Sequence, residues 1–221
     1  MWIKRLRTLA PATRRLRQFE HAATALAHHR ARRDVPRGHA RGSASPIVHD
    51  DRDRESFLDE LAKVVREHRW RCHAYCLMTN HYHLLVRTPE PDLSAGMQKL
   101  NLRQALRINR RHGFAGHVFE GRFFAELVED DAHFVALSRY IDQNPVRAGL
   151  CRAAELWPWS GCAATLGLRT RTGFFDPTDV LSTFSSDIER ARTAYALSLQ
   201  DFRRPGRNGA VPTPGVRTAP V

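Results

Sequence analysis

No run of eighteen apolar residues occurs among the 221 of this chain, so no segment is expected to cross a membrane. The first residues lack the apolar core of a secretory signal, and a reducing, cytoplasmic setting is the expectation. Cysteine is sparse: Cys72, Cys76, Cys151 and Cys162 match no zinc spacing, and Cys72 and Cys76 are expected on one face of a strand as small core residues. Tyrosine is equally sparse, with Tyr75, Tyr82, Tyr140 and Tyr195 the only phenols available to any chemistry. Acid is what the ends lack. Residues 1–45 carry a net +9 and residues 201–221 a net +3, so the formal +12 of the chain leaves 46–200 neutral. A binding surface on the middle must then come from local clustering of charge. The reading is a basic, mobile arm over 1–45, with a basic helix possible around Thr13 to Arg33, one domain over 46–200, and a disordered tail over 201–221.

What is present centres on Met78-Thr79-Asn80-His81-Tyr82-His83-Leu84-Leu85-Val86. Residues two apart along a strand point the same way, so His81, His83, Leu85 and Arg87 share one face while Tyr82, Leu84 and Val86 enter a core. Imidazole is the commonest protein ligand for metals at neutral pH, and two on one strand lack only a third donor. A second stretch, Tyr140-Ile141-Asp142-Gln143-Asn144-Pro145, sets a phenol and an amide four apart on one helical face. Around these, the periodicity predicts a helix over Asp53–His68, a strand over Arg71–Leu77, a helix over Leu93–Arg111, strand material over Gly116–Val128, and a helix opened by Asp130-Asp131 and closed by Pro145. The Leu93–Arg111 helix carries Lys99, Arg103, Arg107, Arg110 and Arg111 with no acid among them, a stripe suited to phosphate contact.

Four segments in this order then carry a resemblance: His81-Tyr82-His83 after Leu77-Met78-Thr79-Asn80, Gly116 through Phe123, Tyr140 through Gly149, and Trp157-Pro158-Trp159-Ser160. Together they resemble the REP-associated tyrosine transposases, single-tyrosine members of the HUH endonuclease superfamily with an IS200-like domain. The resemblance implies an α+β fold, a central antiparallel sheet flanked by helices in the ferredoxin or RRM manner. It implies cleavage of single-stranded or hairpin DNA, with Tyr140 as nucleophile and a 5′-phosphotyrosine intermediate. It assigns Mg²⁺ or Mn²⁺ to His81 and His83, with Asn144 as third ligand, and adds Arg122 to the DNA-binding set. Two departures stand out. Ala31 to Pro36 supplies no alternating strand, so the first strand is expected to be degenerate. Phe124 stands where the family often has Lys, which removes a phosphate contact.

Three readings follow: an active transposase or endonuclease, a DNA-binding relative that has lost catalysis, and a metal hydrolase that would need carboxylates on the histidine face. Of the tyrosines, Tyr82 faces away from the histidines and Tyr195 falls in a late helix, which singles out Tyr140. The sequence leaves monomer or homodimer open.

Overall fold

The computed structural model describes residues 23–30 and 45–201. Four antiparallel strands, β1 (Ala23–Arg30), β2 (Arg71–Leu77), β3 (His81–Thr88) and β4 (Phe124–Leu127), form one sheet in the order β2-β3-β1-β4. With α1 (Asp51–Glu67) and α2 (Leu93–His112) the chain runs β1-α1-β2-β3-α2-β4, the split βαβ arrangement of ferredoxin-like folds. α3 (Asp131–Arg147) follows, then the short α4 (Cys162–Thr165) and α5 (Thr178–Ser182), and finally α6 (Ile188–Asp201). The expected fold class, an antiparallel sheet flanked by helices, is the observed one.

Each face of the sheet has its own core. Tyr82, Leu84 and Val86 of β3 pack with Phe57, Leu61 and Val64 of α1 and with Met97 and Leu100 of α2. Leu85 of β3 packs instead with Phe134, Leu137 and Ile141 of α3 and with Ala191 and Tyr195 of α6. The strand alternation thus sorts β3 into a purely structural side and a side that carries the histidines beneath α3.

The doubt over the first strand is corrected. Residues 23–30, assigned to the arm and within its possible basic helix, form β1, which lies between β3 and β4. A strand buried on both faces shows no polar alternation, and its Ala-rich sequence reads as helix; the ladders on both sides decide the outcome. Thr24, Ala25, Leu26 and Ala27 are all buried. The strand ends at Arg30, and Pro36 lies outside the described residues. The remaining residues of the arm, and the tail from residue 202, lie outside the described residues.

Three further expectations change. A β-bulge between Cys72 and Ala74 inserts His73, so Cys72 joins the α1–α2 core while Cys76 joins the α3 core; they do not share a face. Pro145 does not close α3, which continues to Arg147; proline costs one N–H near the last turn, and its ring is buried. Of the strand material over 116–128 only Phe124–Leu127 is a strand, because Gly116 (φ 100°) and Gly121 (φ 64°) turn the preceding chain.

Two devices fix the frame around the histidine side. The outer edge of β2 is closed by the Trp157–Ser160 segment: Leu77 N–H donates to the Trp159 carbonyl at 2.9 Å, and Trp157 Nε1 donates to the Leu77 carbonyl at 3.0 Å. The rotation of α3 is set by α6. Tyr195 Oη lies 2.8 Å from Ser138 Oγ and donates to Asp142 at 2.7 Å, and Gln143 Nε2 donates to the Leu199 carbonyl at 2.9 Å. With Ser138, Asp142 and Gln143 committed to α6, the helix turns Tyr140 toward the sheet.

Candidate active site

Strand register builds the site. Cys76 pairs with His83, His83 with His28, and His28 with Phe124, so one row crosses β2, β3, β1 and β4 on the α3 side. His83 is buried, at 2 % exposure. Its ring centroid lies 5.0 Å from His81, 5.5 Å from His28 and 5.5 Å from Tyr140, whose ring meets it edge-on at 81°. His81 and His83 therefore converge on one side, as residues two apart on a strand should. Asn80 Oδ1 lies 2.7 Å from His81 Nδ1, a contact that suits the tautomer protonated at Nδ1.

Tyr140 differs from the other phenols. Tyr75, Tyr82 and Tyr195 are buried, and burial pushes all three above the ordinary tyrosine value, Tyr75 to about 12. Tyr140 is half-buried at the mouth of the row, with the exposed Arg147 guanidinium 5.4 Å over its ring. A cation at that position can neutralise part of the charge of a phosphate bonded to the phenol oxygen.

The resemblance assigns a divalent cation to His81, His83 and Asn144, and the two histidines converge. Asn144 stays in α3, and its Nδ2 donates to the Tyr140 carbonyl at 2.8 Å, so Oδ1 is the atom it has to offer a cation. Two imidazoles and an amide oxygen give neutral donors with room for water and phosphate. Among the described residues no three His, Cys, Asp or Glu side chains are arranged to hold an ion. The nearest carboxylate on β4, Glu126, is paired with His133 at 3.3 Å.

The family model described as "Transposase IS200 like" matches residues 45–144. That segment holds α1, β2, β3, α2, β4 and α3 through Tyr140 and Asn144. The match covers 100 of the 221 residues. The chain is also similar to a protein of Haemophilus influenzae that carries the name of a REP-associated tyrosine transposase, at 24% identity over 132 residues, 52% of this chain and 75% of that protein. Among solved structures it is similar in fold to a REP-associated tyrosine transposase bound to a REP hairpin, with TM-score 0.54 and 20% identity over 74% of this chain and 92% of that one.

The basic stripe of α2 lies apart from the histidine row, since α2 packs on the opposite face of the sheet. It is also partly neutralised by α1. Lys99 and Arg103 donate to Glu67 at 3.0 and 3.2 Å, Arg103 and Arg107 lie 3.6 and 3.8 Å from Glu60, and Arg111 clamps Asp50 and Asp53 at the start of α1. The Arg111 clamp seals a helix start in which Asp50 accepts from Asp53 N–H at 3.0 Å and Asp53 accepts from His49 N–H at 2.9 Å. Arg110 makes no ion pair among the described residues. Cation still dominates the shallow groove of about 880 Å³ between the helices, where Arg52, Lys63, Arg103, Arg107, Arg110 and Arg111 surround Glu60. Arg122 is exposed in the turn before β4, on the side of the sheet edge that leads to Phe124.

Sequence reasoning misses two members of the row. His28 is hidden in the basic arm, although an imidazole two positions beyond Leu26 stands out once residues 23–30 are read as a strand. Phe124, which on sequence grounds only takes a lysine away from the phosphate, has a place of its own in the row: its ring stacks on His28 at 5.3 Å and 15°.

Proposed function

We propose that the chain is a single-stranded DNA transposase or endonuclease that cleaves at hairpin sequences through Tyr140. The observation that carries this reading is the convergence of His81, His83 and Tyr140 on one side of the sheet, with Tyr140 the half-buried phenol among buried ones. His81, His83 and Asn144 would hold Mg²⁺ or Mn²⁺. Such a cation supplies charge neutralisation at the scissile phosphate.

The chain's own residues do the rest. The Tyr140 hydroxyl gives its proton to solvent as its oxygen attacks phosphorus, the bond to the 3′-oxygen breaks and that oxygen takes up a proton, so the strand leaves with a 3′-hydroxyl while the 5′ side stays on the protein as a phosphotyrosine. The ester bond energy is conserved in that link, so rejoining needs no nucleotide cofactor. Arg147 over the ring is placed to offset the charge of the phosphate as it is transferred to the phenol oxygen.

Lys99, Arg103, Arg107, Arg110, Arg111 and Arg122 hold the DNA backbone without reading bases. Because the α2 residues lie on the other face of the sheet from Tyr140, binding and cleavage are separable in this reading. That separation also accommodates a chain that binds hairpins without cutting them. The test is incubation of purified protein with an end-labelled DNA hairpin carrying a single-stranded flank, with Mn²⁺. Cleavage by the wild type that is abolished in His81→Ala, His83→Ala and Tyr140→Phe, with hairpin binding retained in Tyr140→Phe, supports the enzyme. Cleavage that persists in Tyr140→Phe rejects the nucleophile.

A further inference from the structure

Phe124 is an anomaly of placement. It lies on β4, the edge strand of the sheet, where charged residues commonly guard against unwanted pairing, and nearly half of its surface is exposed, 49%. Yet its ring is not loose. One face rests on His28 at a centroid distance of 5.3 Å and an interplanar angle of 15°, and His28 in turn abuts His83, 5.5 Å away. The ring thus has a fixed backing and an outward side, in the same row as the candidate nucleophile's neighbour. Two strand spacings, about 10 Å, separate Phe124 from His83 along the row. A phosphate held beside His83 and Tyr140 has the base of an adjoining nucleotide within reach of that ring.

We propose that Phe124 is a stacking platform for one unpaired nucleobase next to the scissile phosphate, with His28 as the support that holds the ring in its plane. This rests on the reading of the site as a single-stranded DNA nuclease. It replaces a backbone contact with a base contact. An aromatic plane accepts any base, since every base has a π face, so the platform fixes the position of the strand with little choice of sequence.

The experiment measures binding of a fluorescently labelled DNA hairpin with a single-stranded flank, in which each flank nucleotide in turn is made abasic. Wild-type protein should lose affinity about five- to hundredfold at one flank position, the effect of about 1–3 kcal/mol per stacked base. Phe124→Leu keeps an apolar side chain on an exposed site. It should show the same loss with intact DNA and no additional loss at that abasic position, while Phe124→Tyr restores wild-type behaviour. Equal affinity of Phe124→Leu and wild type, or a full abasic penalty in Phe124→Leu, overturns the platform. If Tyr140-dependent cleavage persists with either result, the failure belongs to the platform alone. A protein that binds no single-stranded flank overturns both the platform and the nuclease reading.

Discussion

Replacing Asp142 by Asn should remove a penalty that the native protein bears at neutral and alkaline pH. Asp142 is buried at 1% exposure between α3 and α6. Burial pushes its carboxyl from 3.8 up to about 7, against the opposing pull of the Tyr195 hydrogen bond at 2.7 Å. The folded state therefore holds a proton that the unfolded chain releases near pH 4. A group with a raised folded pKa contributes stability that is fully present below the unfolded value and is lost as pH rises through the folded one. Between pH 5 and pH 8 the loss covers roughly two pH units before the carboxyl ionises in both states, or about 3 kcal/mol. His73 acts in the opposite sense. Burial pushes its imidazole down to about 4, so its contribution is lost as pH falls below 6.5. It is present in both proteins and cancels in their difference. Urea unfolding of wild type and Asp142→Asn at pH 5, 6, 7 and 8 should show the stability of the wild type relative to the variant falling by about 3 kcal/mol across the series. Parallel curves would refute the reasoning, since they would mean that Asp142 keeps an ordinary carboxyl pKa in the folded state.

Gly96→Ala should lower the melting temperature, because an added Cβ would collide with the Trp70 ring, which a 2.8 Å hydrogen bond to Asp92 holds in place. Overpacking costs about 1–3 kcal/mol and improved helix propensity returns about 1, so thermal unfolding that shifts upward would count against this packing. Arg107→Glu with Arg110→Glu should weaken binding to all DNA hairpins alike and flatten the dependence of log K on log salt by about one unit for each phosphate no longer neutralised. Weakening confined to one hairpin sequence in a binding titration would instead assign these residues to base reading.

The parts of the fold written in local periodicity were legible from the residues. α1, α2, β2 and β3 carry their own apolar patterns, and the two faces of β3 followed from alternation alone. What was hidden depends on neighbours distant in sequence. β1 is a strand because β3 and β4 flank it, and its Ala-rich stretch says little by itself. The bulge at His73 reverses the side on which Cys72 lies relative to Cys76, a shift of one residue that no count of spacing detects. The basic stripe of α2 reads as free of acid along its own helix, while Glu60, Glu67, Asp50 and Asp53 arrive from α1. For the site, the pairing of His81 with His83 and the choice of Tyr140 came from residue spacing and family resemblance. His28 and the placement of Phe124 required the register of the sheet.

The most direct test of the account is the covalent bond itself. Purified protein incubated with a hairpin oligonucleotide and Mn²⁺, then digested with protease and nuclease and read by mass spectrometry, should yield a peptide containing Tyr140 that carries a 5′-linked nucleotide, and Tyr140→Phe should yield none. An adduct on another residue, or DNA cleaved with a free 5′-phosphate and no adduct at all, would contradict Tyr140 as the nucleophile.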